Sequence, residues 1–285
     1  MQGDGVTEKT FARVFHPSDF TRGSEAAFCH ALKIALAAKG KLEIFHSADR
    51  SQITEWTDFP SVSDHLKNWQ AIPQDGGYDA IADLGLHVKK LQAHGDDPLP
   101  HILKHFDHHQ PDLVVVSTHQ RRGLARWMHR AIAKPIAQAS EGASLFVPRS
   151  TRGFVSADSG KVRLDSILIP VDSHPSPQRA VDVAVRLATL LGEHERLTFT
   201  VLHAGVAEDM PQINLPERDN WQVIEHCTNG KPEDVILDGI EEFDADVVVM
   251  STMGEKGFLD ALRGSTTERI VRSAPCPVLA VPVSK

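Results

Sequence analysis

Gly254, Gly264, Ser265 and Thr266 carry the clearest chemical potential in this chain. Nine residues separate the two glycines, and the second opens Gly-Ser-Thr directly before a helical pattern that contains Ile270 and Val271. Glycine lets a backbone approach phosphate oxygens without a Cβ in the way, and a hydroxyl at a helix mouth adds a donor to outward-facing amides. The chemistry implied is the holding of an anion. A plain strand-to-helix turn also uses glycines, and Gly257, which recurs as Gly123, is read as such a turn residue. Asp172, after Pro170 and Val171 at the tip of an apolar run, offers a carboxylate that either meets a ligand hydroxyl or caps the helix that follows.

These residues sit in a sequence that contains itself twice. Asp112 to Pro148 lies over Asp246 to Pro282 without a gap: Asp-Leu-Val-Val-Val-Ser-Thr over Asp-Val-Val-Val-Met-Ser-Thr, and Leu145-Phe-Val-Pro148 over Leu279-Ala-Val-Pro282. Arg130-Ala131, however, lies over Gly264-Ser265. The copies share their apolar frame and differ in the small polar residues that would face a ligand.

Each copy alternates short apolar runs with helical periodicity, which predicts parallel strands covered by helices on both faces. In the first copy, strands are expected at Phe11–Phe15, Leu42–Phe45, Leu113–Val116 and Leu145–Val147. Helices are expected at Ser24–Ala38, Tyr78–Gln92, Leu99–Phe106 and Leu124–Ala139, with an irregular stretch reaching Pro73. The second copy predicts strands at Ser166–Pro170, Leu197–Leu202, Trp221–His226, Val247–Met250 and Val278–Val283, and helices at Pro177–Leu191, Pro232–Phe243 and Thr267–Val271. Between His203 and Gly230 it has room only for a Pro-broken acidic loop and a strand, so a helix is lost or a mobile flap takes its place. We divide the chain at residue 150, with Arg149–Lys161 as a polar linker in which Phe154 and Val155 are able to pair as a small strand.

Composition narrows the function classes. The 285 residues suit two domains, and 41% hydrophobic with 24% charged residues is a globular balance. A net charge of -8 is the wrong sign for a chain devoted to nucleic acid. The three cysteines form no Cys-x-x-Cys, no apolar stretch reaches the length of a membrane span, and Met1–Thr10 lacks the pattern of a leader, so a cytoplasmic protein is expected.

The motif then becomes specific. Gly254, the nine-residue interval, Gly264 and Ser265, with Ile169-Pro-Val-Asp172, Leu202-His203 and Ala274-Pro-Cys-Pro-Val-Leu-Ala280, resemble the universal stress protein family. Pro17, Asp19, Phe45, His46, Gly95 and Pro98 provide the same landmarks in the first copy, so the chain resembles the tandem form with two such domains. The resemblance implies two doubly wound, Rossmann-like domains about a pseudo-two-fold axis, with the strands around Leu145 and Leu279 meeting edge to edge. It implies that Asp172 and the backbone near Pro170 and Ala204 hold adenosine, and that Gly254, Gly264, Ser265 and Thr266 face the phosphates of ATP or AMP, with or without Mg2+.

Two departures matter. Ser251 replaces the first motif glycine, a substitution that costs about 1 to 2 kcal/mol if a left-handed backbone is needed there. In the first copy Ser117, Gln120, Arg130 and Ala131 replace the whole set, so no nucleotide is expected in that domain. The resulting expectation is a stress-response protein that binds an adenine nucleotide through its second domain and acts through a protein partner by conformation. A scaffold that binds no nucleotide is the rival reading, and a slow ATPase a third, since no general base for phosphoryl transfer is evident. A homodimer of chains is a further option.

His101, His105 and either His108 or His109 have helical spacing that brings imidazoles together for zinc, although a solvated helix face is the commoner reason for such a run. The basic run Arg121, Arg122, Arg126, His129 and Arg130 reads as an exposed helix start before it reads as an anion site. Asp172, Ser173 and His174 are triad types, but adjacent residues on one turn do not aim at one another as a triad requires.

Overall fold

The protein is seen in a computed structural model that describes residues 11–48, 55, 57–94, 97–118, 133–149, 151, 153–192, 195–253 and 266–283. The first half runs β1 (Arg13–Pro17), α1 (Glu25–Ala37), β2 (Lys41–Ala48), α2 (Val62–Asn68), α3 (Tyr78–Asp83), β3 (His87–His94), α4 (Leu99–Phe106), β4 (Leu113–Thr118), α5 (Ala133–Ala139) and β5 (Ala143–Pro148). The second runs β6 (Ser166–Val171), α6 (Gln178–Leu191), β7 (Leu197–Ala204), β8 (Trp221–Thr228), α7 (Pro232–Glu242), β9 (Val247–Met253), α8 (Thr266–Ser273) and β10 (Val278–Val283).

Among the described residues ten strands form one sheet, in the order β3-β2-β1-β4-β5-β10-β9-β6-β7-β8. Pairing is parallel inside each half and antiparallel only at the β5–β10 junction, where Leu145 stands opposite Leu279. Leu145 and Leu279 are the same residue of the repeat, and a residue that pairs with its own copy marks a two-fold axis. The junction covers two strand edges that would otherwise be open to other chains. Leu145, Val147, Leu279 and Val281 enter the apolar layer on one face, and Phe146, Val278 and Ala280 the layer on the other. Both cores therefore continue across the axis.

Two expectations fail locally. The helix drawn over Tyr78–Gln92 stops at Asp83, because Gly85 takes φ +77 and turns the chain into β3, an edge strand parallel to β2. Lys89 and Lys90 hid that strand, although edge strands tolerate such charges. The irregular stretch before Pro73 contains α2, started by Ser61, whose hydroxyl accepts from the Asp64 amide at 3.2 Å. The helix expected from Leu124 is seen from Ala133 as α5, and its earlier part lies outside the described residues, as does the basic run from Arg121 to Arg130.

The linker carries the short pairing foreseen at Phe154 and Val155. Phe154 and Val155 are buried, and Val155 bridges Val162. Phe154 packs edge-on against His30 of α1, and with α6 of the second half against it as well, that helix is buried on more than one face. His30 donates from Nδ1 to the Ala26 carbonyl at 2.6 Å, and its Nε2 accepts from the amides of Phe154 and Val155 at 3.0 and 3.3 Å. Trp69 donates to the Ala157 carbonyl at 2.8 Å. A side chain at Gly153 would run into His30, and one at Gly160 into Trp69. The segment is strapped to the first half.

Candidate functional site

In an open parallel sheet, ligands sit beyond the carboxyl ends of the strands where strand order reverses. The second half reverses between β6 and β9. These strands pair with each other only at Ile167–Val247 and Leu168–Val248; beyond that β6 runs on beside β7 to Val171 and β9 beside β10 to Met253. The splay opens a crevice. Pro170 lies past the last β6–β9 pair, where a residue without an N–H interrupts no ladder between them.

Asp172 stands at the lip, exposed. Its Oδ1 accepts from the Ser173 amide at 2.6 Å and from the Ser173 hydroxyl at 3.3 Å. Helix α6 starts only at Gln178 with Pro177 as its cap, so Asp172 is not the helix cap that one reading made it. Ala204 closes β7 beside Thr228. The buried His203 donates from Nδ1 to the Val171 carbonyl at 3.1 Å, tying the tips of β6 and β7 together. Gly205 follows because a Cβ there would lie 2.6 Å from His203 Nε2.

Ser251 belongs to β9, opposite Val281, and has no left-handed backbone, so the strain foreseen for serine does not arise. Its hydroxyl donates to the Ser176 carbonyl at 2.9 Å and spans the crevice. Thr266 opens α8, which Arg269 ties to Glu233 at 2.9 Å. Pro170, Asp172, Ala204 and Ser251 are thus brought to the carboxyl ends of three strands. Gly254, Gly264 and Ser265 lie outside the described residues.

The stretch between β7 and β8 holds a single short 3-10 turn where the first half has α2 and α3. It is tethered: the Gln178 amide donates to the Asn214 carbonyl at 2.9 Å and accepts from its N–H at 2.8 Å, while Met210, Ile213 and Leu215 pack on the core.

The first half has the same frame with other contents. Strands β1 and β4 pair at Val14–Leu113 and Phe15–Val114, then diverge. His16 closes the gap by donating from Nδ1 to the Val115 carbonyl at 2.9 Å, and burial pushes its pKa down to about 4. His46 repeats the bond of His203, donating to the Ser18 carbonyl at 2.8 Å. Asp19 matches Asp172 but is taken: it accepts from the Thr21 amide and hydroxyl and pairs with the guanidinium of Arg149, which also reaches Thr21 Oγ1 at 3.0 Å. Burial alone would raise the Asp19 pKa; the bonds from Thr21 and Arg149 outweigh it and hold the group at about 2. Phe20 lies flat on His46, with centroids 3.7 Å apart and planes at 16°, and Phe59 meets it edge-on at 4.8 Å.

Neither Phe20 nor Arg149 stood out in the sequence. Extending the repeat by one residue beyond Pro148 would have exposed Arg149, because the second copy has Val283 there.

The histidines do not converge as a metal site would need. His105 donates from Nε2 to Glu43 at 2.8 Å, Lys41 pairs with the same carboxylate at 2.6 Å, His101 is exposed, and His108 follows the end of α4. Among the described residues no group of three His, Cys, Asp or Glu is placed to hold a metal. Desolvation would raise the Glu43 pKa, yet Lys41 and His105 hold it below the usual carboxylate range.

Comparison with known proteins agrees with this architecture. The profile described as the universal stress protein family matches residues 10–148 and 208–282. A universal stress protein of Methanocaldococcus jannaschii is 25% identical over 150 residues, which are 43% of this chain and 85% of that protein. A universal stress protein E homolog of Haemophilus influenzae is 35% identical over 130 residues, 38% of this chain and 42% of the relative. The crystal structure of a universal stress protein from Archaeoglobus fulgidus superposes with a TM-score of 0.61 at 15% identity, covering 96% of this chain and 97% of that one, which speaks to fold.

Proposed function

The chain belongs to the universal stress protein family, and from that premise we propose that its second domain, residues 151–285, binds an adenine nucleotide while the first, residues 1–150, does not. The observation that carries this reading is the open carboxylate of Asp172 at a splayed strand pair, beside the segment where the Gly254, Gly264 and Ser265 motif begins. Asp172 accepts hydrogen bonds from ribose hydroxyls, the backbone at Ala204 borders the base, and the glycine loop with Thr266 takes the phosphates of ATP or AMP. The tether through Gln178 and Asn214 holds one wall of the crevice in place. At the lip the Ser173 hydroxyl lies 3.4 Å from His174 Nδ1 but gives its proton to Asp172 at 3.3 Å, not to the imidazole, and we read the role as regulatory: ligand shifts the protein between arrangements that bind a partner differently. Titration calorimetry with ATP and with AMP tests this. Saturable heat in the wild type that disappears in Gly264→Asp supports it; an absence of heat favours the scaffold.

A further inference from the structure

We propose that the crevice of the first domain is a latent nucleoside pocket, shaped for a planar base and a sugar hydroxyl but not for phosphate, which the chain fills with its own Phe20 and Arg149. The proposal rests on the adenosine reading of the second crevice and extends it to the copy from which the phosphate loop has been lost.

Four observations carry it. First, the frame around both crevices is the same: a splayed strand pair, a carboxylate at Asp19 or Asp172, and a histidine bonded to the carbonyl at the end of the first strand. Second, the two fillers are where the copies differ, Phe20 for Ser173 and Arg149 for Val283. Third, the fillers sit as guests. Phe20 adopts φ +58, a left-handed backbone that a bulky residue avoids, and lays its ring on His46 at 3.7 Å, the geometry of a stacked base. Arg149 reaches Asp19 from the far end of the domain, while its buried Nε has no hydrogen-bond partner. Fourth, the pocket wall makes room for it: a Cβ on Gly23 would lie 2.8 Å from Arg149 Cδ.

Arg149 is also where the interdomain segment begins. The side chain that occupies Asp19 therefore anchors the strap held further on by His30 and Trp69. Emptying the pocket releases one end of the strap.

The test uses the full chain carrying Asp172→Ala and Gly264→Asp, so that the second crevice is silent, with and without Phe20→Ser and Arg149→Val, which copy the second domain. Adenosine is titrated by calorimetry, with circular dichroism and melting to establish folding. The expected result is no heat in the parent and one saturable adenosine per chain in the variant. A folded variant that binds nothing, or a parent that binds equally well, overturns the proposal. Should the variant not fold, Arg149→Ala alone is melted with ethylguanidinium. Recovery of at least half the lost Tm, with no such rise in the wild type, is expected; no recovery overturns the claim that Arg149 occupies a pocket. Failure of the second-domain reading would show instead as a wild-type chain that binds neither ATP nor AMP, and neither arm here depends on that crevice.

Discussion

Asp19 and Asp172 leave equivalent strand tips, yet Asp19 meets a guanidinium of its own chain and Asp172, among the described residues, meets only the serine beside it. The strand frame around them is shared, as His46 and His203 show by donating to matching carbonyls, while the backbone just beyond the tips differs: Phe20 takes φ +58 and Ser173 does not. Duplication therefore copied a crevice, and the two copies parted by side chains at the strand tips: His16, Phe20 and Arg149 in one half, Ile169, Ser173 and Val283 in the other. The exchange reaches into the packing, since Ile169 belongs to one apolar layer and Phe20 packs against it, while the strands that carry the sheet are kept in both halves.

The largest expected effect comes from breaking what holds the first half's strap. His30→Ala leaves the amides of Phe154 and Val155 without an acceptor and a void under Phe154, and should cost about 2 to 5 kcal/mol. The same turn of α6 carries Val183, and Val183→Ala should cost much less. Denaturant midpoints compare the two, and equal losses would show that the strap adds nothing.

Acid should act on the same half. Burial pushes His16 and His30 from 6.5 to about 4, so the folded state binds fewer protons than the unfolded chain. Their contribution is complete above about pH 6.5 and declines as pH falls through that value towards 4. Melting should follow this window, and His30→Gln should remove about half of the fall. A flat Tm between pH 6.5 and 4 would contradict the assignment.

Nucleotide affinity sharpens the contrast more directly. Asp172→Ala should weaken binding about 10- to 100-fold, the range for loss of hydrogen bonds to a charged acceptor. Asp19→Ala should leave affinity unchanged and lower Tm by a few degrees. The smallest effect belongs to Ser251→Gly: the serine sits in a strand without strain, so restoring the family glycine should change affinity less than about threefold, with loss of the bond to Ser176 as the only local change.

Much of this architecture was legible in the residues. The gapless repeat placed Leu145 over Leu279, and the structure pairs those two strands edge to edge. Strands β1, β4, β6, β7 and β9 were visible because burial on both faces makes them continuous apolar runs. Strand β3 was not, since only its neighbour β2 and the ends of the sheet make sense of a strand carrying Lys89 and Lys90. The open crevice was legible as Pro170 and Asp172 followed by a glycine motif. The filled one was not, because Asp19 and Arg149 lie 130 residues apart and meet only in the folded domain. What the linker packs against was not legible for a similar reason: Phe154 and Val155 have no period of their own, and the histidine that receives their amides sits in an earlier helix.

The count of nucleotides bound per chain tests the asymmetry most directly. Titration of the wild-type protein with AMP and with ATP should saturate at one equivalent, and Asp172→Ala with Gly264→Asp should abolish it while Asp19→Ala does not. Two equivalents per chain, or binding that survives in the second-domain variant and falls in Asp19→Ala, would contradict the account.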